Sequence, residues 1–337
     1  MKSDTTVSNY TSTKIKNLSF VAMCGVLVQH YSYNLSEVDL LCRIVKEVFC
    51  FGILDFPVSF FFIVSGFFAV KSYGGGANWY KSVLLKKART LLVPYLVFIA
   101  IGIIVFHPKT LSLLAAFGIS TALPIVTPLW YVRTLIICMI ALPVIVFGIT
   151  RIRPSSIPLL VCMGICMSWF SFPAKRCLIM SFLYFVVGVW CAFNRSFARR
   201  ILHSSVLKAF AYSVTIILLI FKAFLAVRFD YNTLSIRWEL IPFVIISLWF
   251  LYDDILPKTP RLCPLANMTF FIYMAHGLIR PFLQVDILAW IGYSDIDTTL
   301  WGPFALAGVT FVFLAILSHA LNCVFPKVYN WCCGGRV

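Results

Sequence analysis

Apolar residues run along this chain in blocks about as long as a membrane is thick, separated by short stretches of lysine, arginine, glycine and proline. A transmembrane helix needs roughly 20 mostly apolar residues. Runs that meet this need lie near 18–35, 53–71, 90–107, 129–149, 156–173, 177–194, 206–227, 239–252, 267–286 and 299–325, which predicts about ten spans. The run at 239–252 is short and follows polar sequence. The stretch from Pro108 to Pro128 is apolar but broken by Gly118 and prolines. It reads as a segment at the membrane surface, with a partial re-entrant segment as the alternative.

Composition agrees with the pattern. Of 337 residues 61% are hydrophobic and 12% charged, against roughly 45–50% and 25% in soluble domains. The expected fold is an all-α polytopic membrane protein, a bundle of about ten transmembrane helices. Residues 1–16 are polar, with no apolar core leading to a cleavage site, and read as a disordered cytoplasmic tail with no signal peptide. Residues 17–326 form the transmembrane domain and 327–337 a second cytoplasmic tail.

Charge orients the bundle. With the N-terminus inside, Lys14, Lys16, Lys71, Lys81, Lys86, Lys87, Arg89, Arg151, Arg153, Arg195, Arg199, Arg200, Lys258, Arg261, Lys327 and Arg336 fall on the cytoplasmic side. The outer side holds fewer cations and most of the acids, among them Glu37, Asp39, Glu47 and Asp230. Both termini are therefore expected in the cytoplasm. A net charge of +16 raises nucleic acid as a partner, but the cations sit in short loops where they fix topology, and nucleic acid is set aside. The 12 cysteines are scattered through apolar segments without a zinc-like pair of pairs, so no metal is implied. Cys332 and Cys333 read as an inert reduced pair, with palmitoylation as the alternative.

Ionisable groups inside spans are costly and mark functional candidates. Asp55 before Phe56-Pro57 reads as a helix cap. Lys222 near the outer end of its span reads as snorkelling, and His319 as a helix–helix contact. His30 closes the first span among Gln29, Tyr31, Ser32, Tyr33 and Asn34, a polar end that fits a wet cavity. A neutral imidazole there can take a proton from a hydroxyl and return it. His276 and Arg280, four apart on one helix face, fit either an anion site or a structural clamp. Arg133 follows Trp130 and Tyr131, which are ordinary interfacial residues, and can position an anionic or carbonyl group. Lys86, Lys87 and Arg89 are either a topology signal or a phosphate-binding cluster.

Several of these stretches, taken in order, resemble integral-membrane acyltransferase family 3, the O-acetyltransferases of bacterial surface polysaccharides and related glycans. Val28-Gln29-His30-Tyr31-Ser32 looks like the family's first helix with its essential histidine. The stretch from Phe56 through Ser65-Gly66-Phe67 is similar to its Ser-Gly-Phe second helix, and Lys86-Lys87-Ala88-Arg89 through Pro94-Tyr95 to its basic-then-Pro-Tyr third. Leu129 to Arg133, Phe270 to Gly277 and Gly334-Gly335-Arg336 also match in order. One position departs: the family carries a basic residue eleven before the histidine, and here it is Ser19. Eleven residues span roughly 16 Å on one helix face, and Lys16, about one turn further toward the cytoplasm, is the candidate substitute. Lys86 in place of the family's first arginine loses bidentate geometry.

The resemblance implies transfer of an acyl group, usually acetyl from acetyl-CoA, to a hydroxyl of a lipid-linked or cell-surface glycan, in a bacterial inner membrane, with polysaccharide assembly machinery as a possible partner. It implies His30 as general base or acyl carrier. Lys86, Lys87, Arg89 and Lys16 would bind the donor. Arg133, His276, Arg280, Asn34, Trp130 and Tyr131 would position the acyl group or substrate. The rival readings are a lipid-linked sugar transporter or flippase and a scaffold.

Overall fold

A computed structural model describes residues 8–35, 39–71, 73–108, 112–119, 123–151, 173–228, 236–256, 261–283 and 298–335. Among the described residues the regular structure is entirely helical. Each expected span has a helix at its place except 156–173, which lies outside the described residues. Three helices are long and apolar enough to cross a membrane alone, Gly76–Phe106, Ser205–Arg228 and Gly302–Val324, and up to six segments qualify if each bent helix pair is one span.

The chain divides into two compact units. One comprises Met1–Tyr73, Val144–Cys263 and Asp297–Pro303, the other Gly74–Pro143, Pro264–Ile296 and Phe304–Val337.

In the first unit, α1 (Asn9–Tyr31) begins well before the expected tail ends, because its first turns have partners. Ser8 caps it by accepting from the Thr11 N–H. Lys14 is buried, with its ammonium 2.7 Å from Asp253 and 3.9 Å from the centre of the Trp249 ring. Burial lowers the Lys14 pKa, and the bond to Asp253 opposes that shift. Residues 9–16 are thus helical rather than a disordered tail.

After α1, α2 (Leu40–Ile44) runs into a π-helical turn, Val45–Cys50, and bends by 41° into the segment that contains α3 (Pro57–Ala69). The other long helices of this unit are α4 (Pro173–Phe193), α5 (Ser205–Arg228) and α6 (Arg237–Ile255). Helix α3 lies against α4 at backbone distance. A Cβ on Gly66 would collide with the Phe185 carbonyl, and one on Gly188 with the Ile63 carbonyl. Two helices that offer glycine to each other's backbone form the close approach expected between membrane helices. Leu18 and Ala22 of α1, Phe56 and Phe60, and Leu240, Val244 and Tyr252 of α6 make a shared core.

Lys222 is not a snorkelling cation. It is buried, and its ammonium pairs with Glu47 at 2.6 Å, tying α5 to the π turn. Asp55 is not a cap either: Phe56 occupies the position before α3, no side chain caps that helix, and Asp55 is itself buried.

The second unit is built on one continuous helix, Gly76–Phe106, with α7 (Gly76–Lys87) and α8 (Val93–Phe106) joined by a π turn, Ala88–Leu92. The expected cytoplasmic loop from 72 to 89 is therefore mostly helix. The segment before Pro128 holds a short helix, Leu113–Ala116, a left-handed turn at Gly118, and a 3-10 turn, Thr127–Leu129, which leads into α9 (Trp130–Ile140). Helix α10 (Thr269–Pro281) packs on this turn, where a Cβ on Gly277 would sit 2.7 Å from Pro128. Helix α11 (Gly302–Val324) is followed by α12 (Pro326–Cys332), so the first half of the expected second tail is helical, and both Cys332 and Cys333 are buried.

Candidate functional site

His30 stands in the last turn of α1, half-exposed, with its ring 6.5 Å from that of Tyr33. The helix end that carries it is fixed at two places. On one side Gln29 is buried and its Nε2 donates to Oδ1 of Asp55 at 2.5 Å. On the other, Lys46 is buried with its ammonium 3.1 Å from the Tyr33 carbonyl and 3.4 Å from that of Leu35. A cation at the carbonyl end of a helix complements the dipole there. Ser32 closes the turn by donating to the Val28 carbonyl at 2.7 Å. Asn34 lies in the 3-10 turn Ser32–Asn34 that follows.

Asp55 belongs to a wider polar group in this unit. Tyr184 of α4 is buried beside Ser59 and close enough to Asp55 and Glu239 to feel their charge. Gln29, Asp55 and Tyr184 are buried, and polar groups inside an apolar bundle are costly to place, which makes this group a functional candidate. Of these, Gln29 and Asp55 are among the polar residues picked out from the sequence, and Tyr184 and Glu239 are not. Glu239, an acid beside an apolar run, was the available signal for the rest.

At the other end of α1, Ser19 donates back to the Ile15 carbonyl at 2.8 Å and offers no charge. Lys16 is exposed, whereas Lys14 is committed to Asp253. Asn17 bridges onward, donating to the Tyr252 hydroxyl at 2.9 Å and the Arg261 carbonyl at 3.0 Å.

The remaining candidates lie in the second unit, in three groups. Arg133 of α9 donates through Nη1 to the Gly118 carbonyl, while the Tyr95 hydroxyl donates to the neighbouring Phe117 carbonyl at 2.9 Å. The stretches around Pro94-Tyr95 and Trp130-Tyr131-Val132-Arg133 thus meet on one turn. Gly118 adopts φ of 64°, and a Cβ there would sit 2.8 Å from the Pro124 nitrogen as well as against the Arg133 guanidinium, so the turn favours glycine.

In the second group, His276 is buried in α10 with Nδ1 2.6 Å from the Tyr273 carbonyl. Tyr273 donates to the Pro128 carbonyl at 2.5 Å and meets Tyr131 edge to face at 5.4 Å. Trp130 begins α9, and its carbonyl accepts from Thr134 at 2.9 Å. Arg280 lies one turn beyond His276 and is half-buried.

The third group is cationic. Lys86 and Lys87 close α7 and Arg89 sits in the π turn, with Lys86 and Arg89 exposed and Lys87 half-buried. Two exposed cations three residues apart, Lys86 and Arg89, are of the kind that can receive a phosphate. Among the described residues no group of three His, Cys, Asp or Glu side chains is placed to hold a metal ion.

Comparison with curated proteins and with solved structures gives no match. The family model described as an acyltransferase domain matches residues 14–319, a stretch that runs from the buried Lys14 to His319 and contains His30, Arg89, Arg133 and His276. The chain belongs to this family, acyltransferase family 3.

Proposed function

We propose that the protein is a membrane-embedded O-acyltransferase that moves an acetyl group from acetyl-CoA to a hydroxyl of a cell-surface or lipid-linked glycan. The match of an acyltransferase domain over residues 14–319 carries this reading. In the proposed arrangement about ten spans cross a bacterial inner membrane, with both termini in the cytoplasm.

In this reading His30 takes the proton from the acceptor hydroxyl as its oxygen attacks the thioester carbonyl. The new C–O bond forms, the C–S bond breaks, and the proton passes to the departing thiolate of coenzyme A. Lys86, Lys87 and Arg89 receive the donor's phosphates. Arg133, His276 and Arg280, with Trp130, Tyr131 and Asn34, serve acyl or substrate positioning. Lys16 is the exposed cation left to assist the donor near the start of α1, since Ser19 brings none and Lys14 is engaged by Asp253.

The test supplies membranes that contain the protein with radiolabelled acetyl-CoA and host glycans. Label recovered in an alkali-labile glycan ester supports the reading. Glycan that crosses the membrane without acquiring an ester contradicts it and favours transport.

A further inference from the structure

We propose that Gly334 is a positioning residue of the donor site, setting the course of the π turn Ala88–Leu92 and with it the direction in which Arg89 meets the phosphates of coenzyme A. The inference rests on the donor-binding reading of Lys86 and Arg89 given above.

A π turn carries one more residue than the α-helix around it allows, and such turns recur at functional sites. Its wider hydrogen-bonding pattern sets the direction of Arg89 relative to Lys86. Helix α9 packs against the turn, and a more distant part of the chain comes against Thr90, next to Arg89.

That part is the turn after α12. The helix stops at Cys332, and Gly334 and Gly335 follow with φ of 61° and 70°. The Gly334 N–H donates to the Trp331 carbonyl at 3.1 Å and the Gly335 N–H to that of Asn330 at 2.9 Å, a helix ending that glycine favours. The two glycines differ in their surroundings. A Cβ on Gly335 would meet only Asn330 Oδ1, at 4.0 Å. A Cβ on Gly334 would lie 2.5 Å from the Thr90 carbonyl oxygen and 2.8 Å from its carbonyl carbon and Cα.

Backbone therefore presses on backbone, and no rotamer change can relieve an added methyl group. The docking element is itself fixed. The Tyr329 hydroxyl lies 2.6 Å from that of Ser318, the Tyr329 ring is 5.5 Å from Phe271, and Cys332 and Cys333 are buried. Two stretches that stand far apart in sequence thus meet at the π turn.

The shared positive φ and unequal space make a controlled experiment. Gly334→Ala and Gly335→Ala carry the same kind of backbone strain, but only the first collides with Thr90. Purified protein in detergent is assayed for equilibrium binding of coenzyme A and for amide hydrogen exchange over residues 86–92. Gly334→Ala should weaken binding by about tenfold or more, as small misplacements of a binding group do, and speed exchange in the π turn. Gly335→Ala should leave both close to the native protein. Equal behaviour of the two variants, or no change with Gly334→Ala, overturns the proposal. If the native protein binds no coenzyme A, the donor reading fails and the presentation of Arg89 to phosphate falls with it. The exchange comparison then decides separately whether Gly334 holds the turn.

Discussion

Gln29 and Asp55 are joined by a 2.5 Å hydrogen bond between two buried side chains, and this bond ties the turn of α1 that carries His30 to the start of α3. Removing one partner of a buried hydrogen bond costs about 1–3 kcal/mol, and a catalytic group that shifts by about 1 Å can lose about a hundredfold in rate. Asp55→Ala should lower kcat at least about tenfold with little change in KM for acetyl-CoA, by the same argument from misplacement. Asp55→Asn keeps an oxygen to accept from Gln29 and should recover most of that loss. Steady-state kinetics on the two variants at matched expression check this. An Asn variant as poor as the Ala variant would show that charge, and not the bond, is what Asp55 supplies.

Lys14 and Asp253 offer a test of stability away from the proposed chemistry. Asp253→Ala strands a buried ammonium, whereas Lys14→Met fills the same space with an apolar chain. Asp253 is 38% exposed, so the cost of stranding the lysine falls below that of a fully buried pair, to about 1–3 kcal/mol. Thermal unfolding in detergent should show Asp253→Ala as the weaker of the two. The reverse order would mean that Lys14 is not engaged as described.

Asp254 should make the first unit acid-sensitive. Hydrogen bonds from Lys208 and then Tyr212 hold its pKa below the ordinary aspartate value. A carboxylate whose folded pKa is depressed contributes stability above its unfolded pKa and loses it as pH falls through the folded value. Amide exchange across the paired ends of α5 and α6 should therefore rise as pH drops below about 4, after correction for intrinsic rates. Asp254→Asn should flatten that response. An unchanged response would assign the acid sensitivity elsewhere.

Gly66 and Gly188 should tolerate no side chain. Each faces a backbone carbonyl of the opposing helix, so Gly66→Ala or Gly188→Ala forces α3 and α4 apart at a cost of about 1–3 kcal/mol or more. Melting temperatures in detergent check this. Gly148→Ala, where nothing lies within 4 Å, is the control expected to leave stability unchanged.

Helix positions were legible in the sequence because membrane thickness imposes a length, and the apolar runs announce it. The fate of the polar residues was less so, because their partners are remote. Lys222 reads as a snorkelling cation until Glu47, 175 residues away, is seen against it. Asp55 before Phe56-Pro57 has the local look of a cap, but its hydrogen bond goes to Gln29 on another helix. Residues 9–16 look like a tail because Lys14 and Lys16 interrupt the apolar pattern, yet Asp253, 239 residues on, lets the helix start at Asn9. His30, Arg133 and His276 stand out in the sequence because an ionisable group in a span is conspicuous. Nothing local in the sequence marks Lys46 as the cation that clamps the end of α1 through the Tyr33 and Leu35 carbonyls.

The most direct test of the account compares the native protein with His30→Ala at matched expression, in membranes supplied with radiolabelled acetyl-CoA and the native glycan. Alkali-labile label in glycan is expected with the native protein and near-background label with His30→Ala. Equal labelling by the two proteins would remove His30 from the reaction and contradict the account's central claim.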